Sequence, residues 1–183
     1  MKIVFVLLFA LLVQSVFAKE SVKLPFPDQI RDSLPWFAVR EIGDNNTPFT
    51  KAHLQKIAKK NKRVALVYFA TWCVPCRVGL KQIAAHREDL AKAGTEVVLV
   101  NVGERDTETL LKYLKKFSLD QVKAVVDPFG RLTEGFVLKK ESENMSLPRT
   151  IVVDPSLKPM FMLSEEGDDF ISLLKGVEFQ TKP

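Results

Sequence analysis

The stretch Val64-Ala65-Leu66-Val67-Tyr68-Phe69-Ala70-Thr71-Trp72-Cys73-Val74-Pro75-Cys76-Arg77 decides how the rest of the chain is read. Its first six residues form an unbroken apolar run, the pattern of a strand covered on both faces of a sheet. The run breaks at Thr71-Trp72 and delivers Cys73 to the start of a helix. Cys73 and Cys76 are the only cysteines among 183 residues, so an intramolecular disulfide can close only between them. Unpaired N–H groups at a helix start stabilise a thiolate, and the thiolate is the nucleophilic form of the thiol. A purely structural disulfide is the plain alternative, but so short a loop hardly constrains the unfolded chain. The pair therefore points to thiol–disulfide exchange. That chemistry asks for partial exposure of Cys73 and lets Cys76, a turn into the helix, stay buried.

Outward from this unit, the pattern alternates. The helix after the cysteines is expected over 74–93, with Leu80, Ile83, Ala84 and Leu90 at helical spacing and Gly94 at its C-terminal cap. Residues 96–102 read as a second buried strand, 107–117 as a helix capped by Asp106 or Thr107, and 123–126 as a short strand ending in Asp127-Pro128-Phe129-Gly130. A short helix over 132–138 and a charged loop over 139–146 lead to a strand at 148–154. The turn Pro155-Ser156-Leu157-Lys158 then makes 159–163 its hairpin partner, and a helix over 168–175 follows. Upstream, 37–42 suits an edge strand closed by Gly43-Asp44-Asn45-Asn46, and Thr50 caps a helix running to Lys60. Alternating strands and helices imply an α/β fold: a parallel sheet with right-handed crossovers, to which the final hairpin adds antiparallel strands.

The first residues read as an address. Met1-Lys2 precedes an apolar core over 3–13, and Val16 and Ala18 stand at −3 and −1 of a cleavage site after Ala18. A core of about 11 residues is short for a membrane span, which needs ~20. Residues 1–18 are thus expected to be a signal peptide, 19–35 an irregular lead-in with Pro25, Pro27 and Pro35, and 36–183 one domain. Export to the periplasm follows, with an uncleaved N-terminal membrane anchor as the alternative. The net charge of +5 is spread over scattered lysines. Without a phosphate-binding glycine loop or aromatic–basic interleaving, nucleic-acid binding is disfavoured. His53 and His86 are not spaced as ligands to the cysteines, and Met160 and Met162 alternate as core residues of a strand do, so no metal or other cofactor is expected.

The Trp-Cys-Val-Pro-Cys unit after a buried strand, paired with the later Leu147-Pro148-Arg149-Thr150-Ile151-Val152-Val153-Asp154, resembles thioredoxin-fold proteins. More closely, residues 37–177 resemble the exported TlpA/ResA-like thiol:disulfide oxidoreductases. The resemblance implies a central mixed, mostly parallel sheet flanked by helices, with an extra segment over 106–138 inserted before a cis-proline strand. It makes Cys73 the attacking thiol and Cys76 the resolving one. Pro148 becomes the cis-proline against the disulfide, with Leu147 exposing backbone for a client, while Trp72, Val74 and Pro75 shape the site. The implied partners are client proteins bearing cysteines or disulfides and a membrane-bound electron-donor protein, with cytochrome c maturation a typical task. Val74-Pro75 offers no imidazole to stabilise the thiolate, which favours a reductant over an oxidant. A disulfide-forming or shuffling enzyme on the same fold is the competing reading. A third is a binding module whose cysteine pair is structural or holds a metal.

Two departures accompany the resemblance. Val67 stands where thioredoxins place a buried Asp, and Gly79 where many of the closer relatives place a Glu three residues after the second cysteine. Those acids handle the proton of the resolving thiol. Here the task falls to water or to an acid from elsewhere, Glu104 and Glu134 being the sequence candidates.

Overall fold

In the computed structural model, residues 21, 23–24, 34–43, 47–136 and 146–176 are described. The expected signal peptide, most of the lead-in and most of the charged loop at 139–146 lie outside the described residues. In chain order the elements are β1 (Lys23–Leu24), β2 (Ala38–Glu41), β3 (Pro48–Thr50), α1 (Lys51–Ala58), β4 (Arg63–Phe69), α2 (Cys76–Ala85), α3 (Arg87–Lys92), β5 (Thr95–Val102), α4 (Thr107–Lys115), β6 (Ala124–Asp127), α5 (Arg131–Gly135), β7 (Arg149–Val153), β8 (Pro159–Leu163) and α6 (Phe170–Leu174). The eight strands among the described residues join one sheet in the order β1-β8-β7-β4-β5-β6-β2-β3.

β4 shows why the apolar run sits at the centre. Successive strand side chains point to opposite faces, so Ala65, Val67 and Phe69 enter one core with Leu80, Ile83, Leu110 and Phe170. Val64, Leu66 and Tyr68 enter the other, with Phe37, Phe49, Leu54 and Leu132. Both faces are therefore dry, as an unbroken apolar strand requires. Parallel pairing is confined to the middle, where β4 meets β5 and β5 meets β6. β7 runs antiparallel to β4, and β8 antiparallel to β7. The sheet is mixed, and the inserted segment supplies α4, β6 and α5.

Three local expectations change. β2 is not at the edge: it pairs antiparallel with β6 on one side and with β3 on the other, so β3 takes the edge. Such pairing joins residues far apart in sequence, and no local pattern announces it. The lead-in is not wholly irregular either. Lys23 and Leu24 pair with Leu163 and Met162 of β8, and the Ser21 hydroxyl accepts the Gly167 N–H at 2.8 Å. The single helix expected over 74–93 is two helices, divided at His86, whose backbone (φ −120°, ψ 19°) leaves the helical region.

Candidate functional site

β4 ends at Phe69, and the chain turns through Ala70–Pro75 before α2 begins at Cys76. Pro75 immediately precedes the first helical residue with φ −62°, a place where its missing N–H costs nothing. Cys73 and Cys76 are joined as a disulfide with their Cα atoms 5.5 Å apart. The Cys76 N–H, one of the free donors at the helix start, points to Cys73 Sγ at 3.3 Å. A thiolate at Cys73 would meet the same donor and the positive end of the helix.

Both cysteines are nearly buried, at 3 % and 1 % exposure. Cys73 thus lacks the exposure expected of it: in the disulfide its sulfur is turned inward toward Cys76 and the core around Ala70 and Leu80. What lies outside is apolar. Trp72, Val74 and Val78 are 67 %, 64 % and 50 % exposed, an uncovered rim around a dry disulfide.

The turn before Cys73 is tied down by Glu104. Its carboxylate accepts the Thr71 N–H at 2.8 Å, the Thr71 hydroxyl at 2.5 Å and the Asn101 side-chain N–H at 2.6 Å. Glu104 is thereby committed to holding the loop. Glu134 faces Arg131 at 3.9 Å on α5. Glu104 is thus occupied, and Glu134 lies largely exposed on α5, whose Leu132 packs in the core on the face of the sheet away from α2.

On the other side of the cysteines lies the β7 entry. The Leu147–Pro148 peptide bond is cis. Pro75, Val78, Leu147, Pro148 and residues 164–168 line one groove of about 410 Å³. The structure thus gathers Trp72, Cys73, Val74, Pro75 and Cys76 on the turn into α2, and brings Pro75 into a common groove with Leu147 and Pro148. The histidines lie elsewhere: His53 Nδ1 accepts the Thr50 N–H at the start of α1, and His86 pairs with Asp89 at 3.3 Å. Among the described residues no cluster of three or more His, Cys, Asp or Glu side chains is arranged to hold a metal.

One residue of the groove is not among those the sequence singles out. Glu166, in the loop between β8 and α6, is 8 % exposed, and its carboxylate rests against α2 at Gly79. A Cβ added to Gly79 would stand 1.9 Å from Glu166 Oε2. Glycine at this inward helix position is therefore what admits the acid. Thr150 of β7 donates to Glu166 Oε1 at a long 3.4 Å, and Oε2 has no hydrogen-bond partner. Burial pushes this carboxyl up to about 8, against the opposing pull of the Gly79 N–H and the Thr150 hydroxyl. A signal was available in the sequence: a glycine on the same helical stripe as Cys76, Leu80 and Ile83 leaves a hole that something else must fill.

Comparison with known proteins agrees with this geometry. The model of the AhpC/TSA family matches residues 30–158. A putative thiol:disulfide interchange protein DsbE from Chlorobium tepidum superposes with a TM-score of 0.59 at 19% identity, covering 83% of this chain and 100% of that one. A secreted thiol-disulfide isomerase from Corynebacterium glutamicum gives 0.61 at 21% identity, covering 86% and 98%. StoA from Bacillus subtilis gives 0.55 at 16% identity, covering 79% and 96%. At these identities the likeness is one of fold.

Proposed function

The chain belongs to the AhpC/TSA family and is a thioredoxin-fold thiol:disulfide oxidoreductase, and we propose that it acts outside the cytoplasm as a reductase of client-protein disulfides. The observation that carries this reading is a Cys73–Cys76 disulfide closed at a helix start, with exposed Trp72, Val74 and Val78 around it and a groove that joins Pro75 and Val78 to Leu147 and Pro148. In the reduced enzyme the Cys73 thiolate attacks one sulfur of a client disulfide. The S–S bond of the client breaks, its second sulfur leaves as a thiolate that takes a proton from solvent, and Cys73 is held to the client as a mixed disulfide. Cys76 then attacks Cys73 Sγ, the client leaves as a dithiol, and the enzyme carries the Cys73–Cys76 disulfide. A membrane-bound electron-donor protein returns two electrons and two protons.

The direction rests on Val74-Pro75. With no cation between the cysteines, the thiolate is less stabilised and the dithiol is the better reductant. Export rests on residues 1–18 read as a signal peptide, with 36–183 as the redox domain. The client class implied by the sequence resemblance is the apocytochrome c Cys-x-x-Cys-His segment, which must be reduced before haem attachment.

Equilibration with glutathione or dithiothreitol buffers tests the direction: a potential near thioredoxin's ~−270 mV is expected, and one near ~−120 mV would make the protein an oxidant. Cys73→Ser is expected to abolish insulin-disulfide reduction, and Cys76→Ser to retain clients as mixed disulfides. Undiminished turnover in Cys73→Ser would overturn the enzymatic reading altogether.

A further inference from the structure

Cys76 has a proton to lose when it resolves a mixed disulfide and one to regain when the enzyme is reduced. Val67 and Gly79 supply no acid for this, Glu104 is held by Thr71, and Glu134 lies largely exposed on α5. The geometry points to Glu166: we propose that its carboxylate, delivered from the β8–α6 loop against Gly79 one helical turn beyond Cys76, is the proton acceptor and donor of the resolving thiol.

Three independent features converge on that carboxylate. Gly79 lies three residues after Cys76 on α2, and residues three apart share a helix face, so an acid pressed against Gly79 stands over the stripe that carries the thiol. Thr150, which donates to Glu166, is the cross-strand partner of Val67 on β4. The acid thereby fills the space beside both positions that lack one. The loop is also held in place. Gln82 of α2 donates to the Gly167 carbonyl at 3.1 Å, and Ser21 accepts the Gly167 N–H while its own N–H donates to Asp169 Oδ1 at 2.6 Å. A buried carboxylate with one long hydrogen bond and an unpartnered oxygen, on an anchored loop, has no structural task comparable to that of Glu104.

The ionisable groups around it are few. Cys76 lies one turn away on α2, and Glu165 and Asp168 line the same groove from its own loop. Arg149 of β7 is turned toward Ser146 and Met162. Burial, not a neighbouring charge, is the main cause of its raised ionisation, which brings the group close to the range where a thiol titrates.

The step balances simply. In resolution the Cys76 S–H proton passes to the Glu166 carboxylate, directly or through one water, as the Cys76 sulfur bonds Cys73 Sγ and the client thiolate departs. During re-reduction the Glu166 carboxylic acid returns that proton to the Cys76 thiolate released from the disulfide.

This inference rests on the exchange mechanism proposed above, and one experiment separates the two. The reduced protein is mixed with 5,5′-dithiobis(2-nitrobenzoate), and release of thionitrobenzoate is followed by stopped flow from pH 6 to 10. The first phase is attack by Cys73, and the second is resolution by Cys76. In Glu166→Gln the first phase is expected unchanged, while the second slows about a hundredfold and loses its inflection near 8. Glu166→Asp, which keeps a carboxyl, is expected to recover part of the second phase. A second phase in Glu166→Gln within about twofold of the unaltered protein, with the same pH midpoint, would overturn the role of Glu166 and leave the exchange mechanism intact. Loss of the first phase in the unaltered protein would instead sink the mechanism itself. Should Glu166→Gln not fold, the carboxyl carbon of Glu166 is titrated by NMR in the reduced protein and in Cys76→Ala. A difference of roughly one pH unit is expected for coupled groups, and coincident curves would overturn the proposal.

Discussion

Asp127 and Glu166 are both buried acids, on opposite faces of one sheet, and they differ in what surrounds the carboxylate. Asp127 ends β6 and receives the N–H groups of Arg131, Leu132 and Thr133 together with the Thr133 hydroxyl, all within 3.0 Å. It closes the start of α5, where the free donors of a helix otherwise go unpaired. Burial raises its carboxyl, and all four donors oppose the rise. Glu166 is also buried, but only the Gly79 N–H and the distant Thr150 hydroxyl oppose the rise, and burial carries it up to about 8. Burial alone therefore does not mark a functional acid. The number of donors aimed at it decides whether the charge is a fixed structural element or a proton store that titrates where the protein works.

The largest effect that would sharpen this contrast is the pH dependence of stability. Glu166 rises from an ordinary value of 4.5 to about 8 on folding, so between those values the folded state holds a proton that the unfolded chain has lost. The stability it contributes is fully present below 4.5 and is lost as pH climbs through about 8. Each pH unit of that window is worth about 1.4 kcal/mol, so the loss reaches at most about 5 kcal/mol. Urea unfolding at pH 5 and pH 9 is expected to show this slope in the unaltered protein and most of it gone in Glu166→Gln. An equal slope in both would break the comparison at its root.

Next in size is Asp127→Ala. It orphans the donors at the start of α5 and should cost about 2–4 kcal/mol at any pH between 5 and 9. The rate of thiol exchange per folded molecule is expected to stay unaltered, because Asp127 belongs to the face away from α2. A change in the exchange rate without a change in the urea midpoint would reverse the roles assigned to the two acids.

Much of this is legible in the sequence, and the misses have physical causes. The apolar run at 64–69 and the hairpin at 149–163 announce themselves because their order is local, set by period and by turn residues. Likewise, the cysteine pair and Pro148 sit in stretches of recognisable grammar. β2 reads as an edge strand because its second partner, β6, lies more than eighty residues away along the chain. β1 is two residues long, too short for any pattern. Glu166 is hidden for a different reason. Residues 164–167 fall between the hairpin and the helix expected from 168 and carry no period of their own, and only the hole at Gly79 distinguishes Glu166 from the acids beside it. The absence of a side chain on one helix and the burial of a charge on a distant loop are one fact, visible only when the two are side by side.

That pairing is tested by Gly79→Ala. The added methyl would stand against Glu166 Oε2, the end of a side chain that is buried in the groove and has little room to withdraw. Overpacking of this kind costs about 1–3 kcal/mol, beyond the helix propensity that alanine would otherwise supply. In Gly79→Ala combined with Glu166→Gly the clash has no partner, so the two changes should be less than additive in urea unfolding. Strict additivity would mean that the glycine and the acid are not fitted to each other.

Glu104→Gln is the smallest change and the sharpest control. The amide keeps the shape of the side chain: with its carbonyl in the place of Oε2 it still accepts the Thr71 and Asn101 N–H groups, while its –NH₂ in the place of Oε1 meets the Thr71 hydroxyl, which must turn to accept. A loss of about 1–2 kcal/mol in urea unfolding is expected, the cost of exchanging charge-assisted hydrogen bonds for neutral ones. The second phase of thionitrobenzoate release should keep its pH midpoint. Glu104 fixes where Cys73 stands, whereas Glu166 governs when Cys76 can ionise. If Glu104→Gln shifted that midpoint as strongly as Glu166→Gln, hydrogen-bond saturation would not separate a positioning acid from a proton-carrying one.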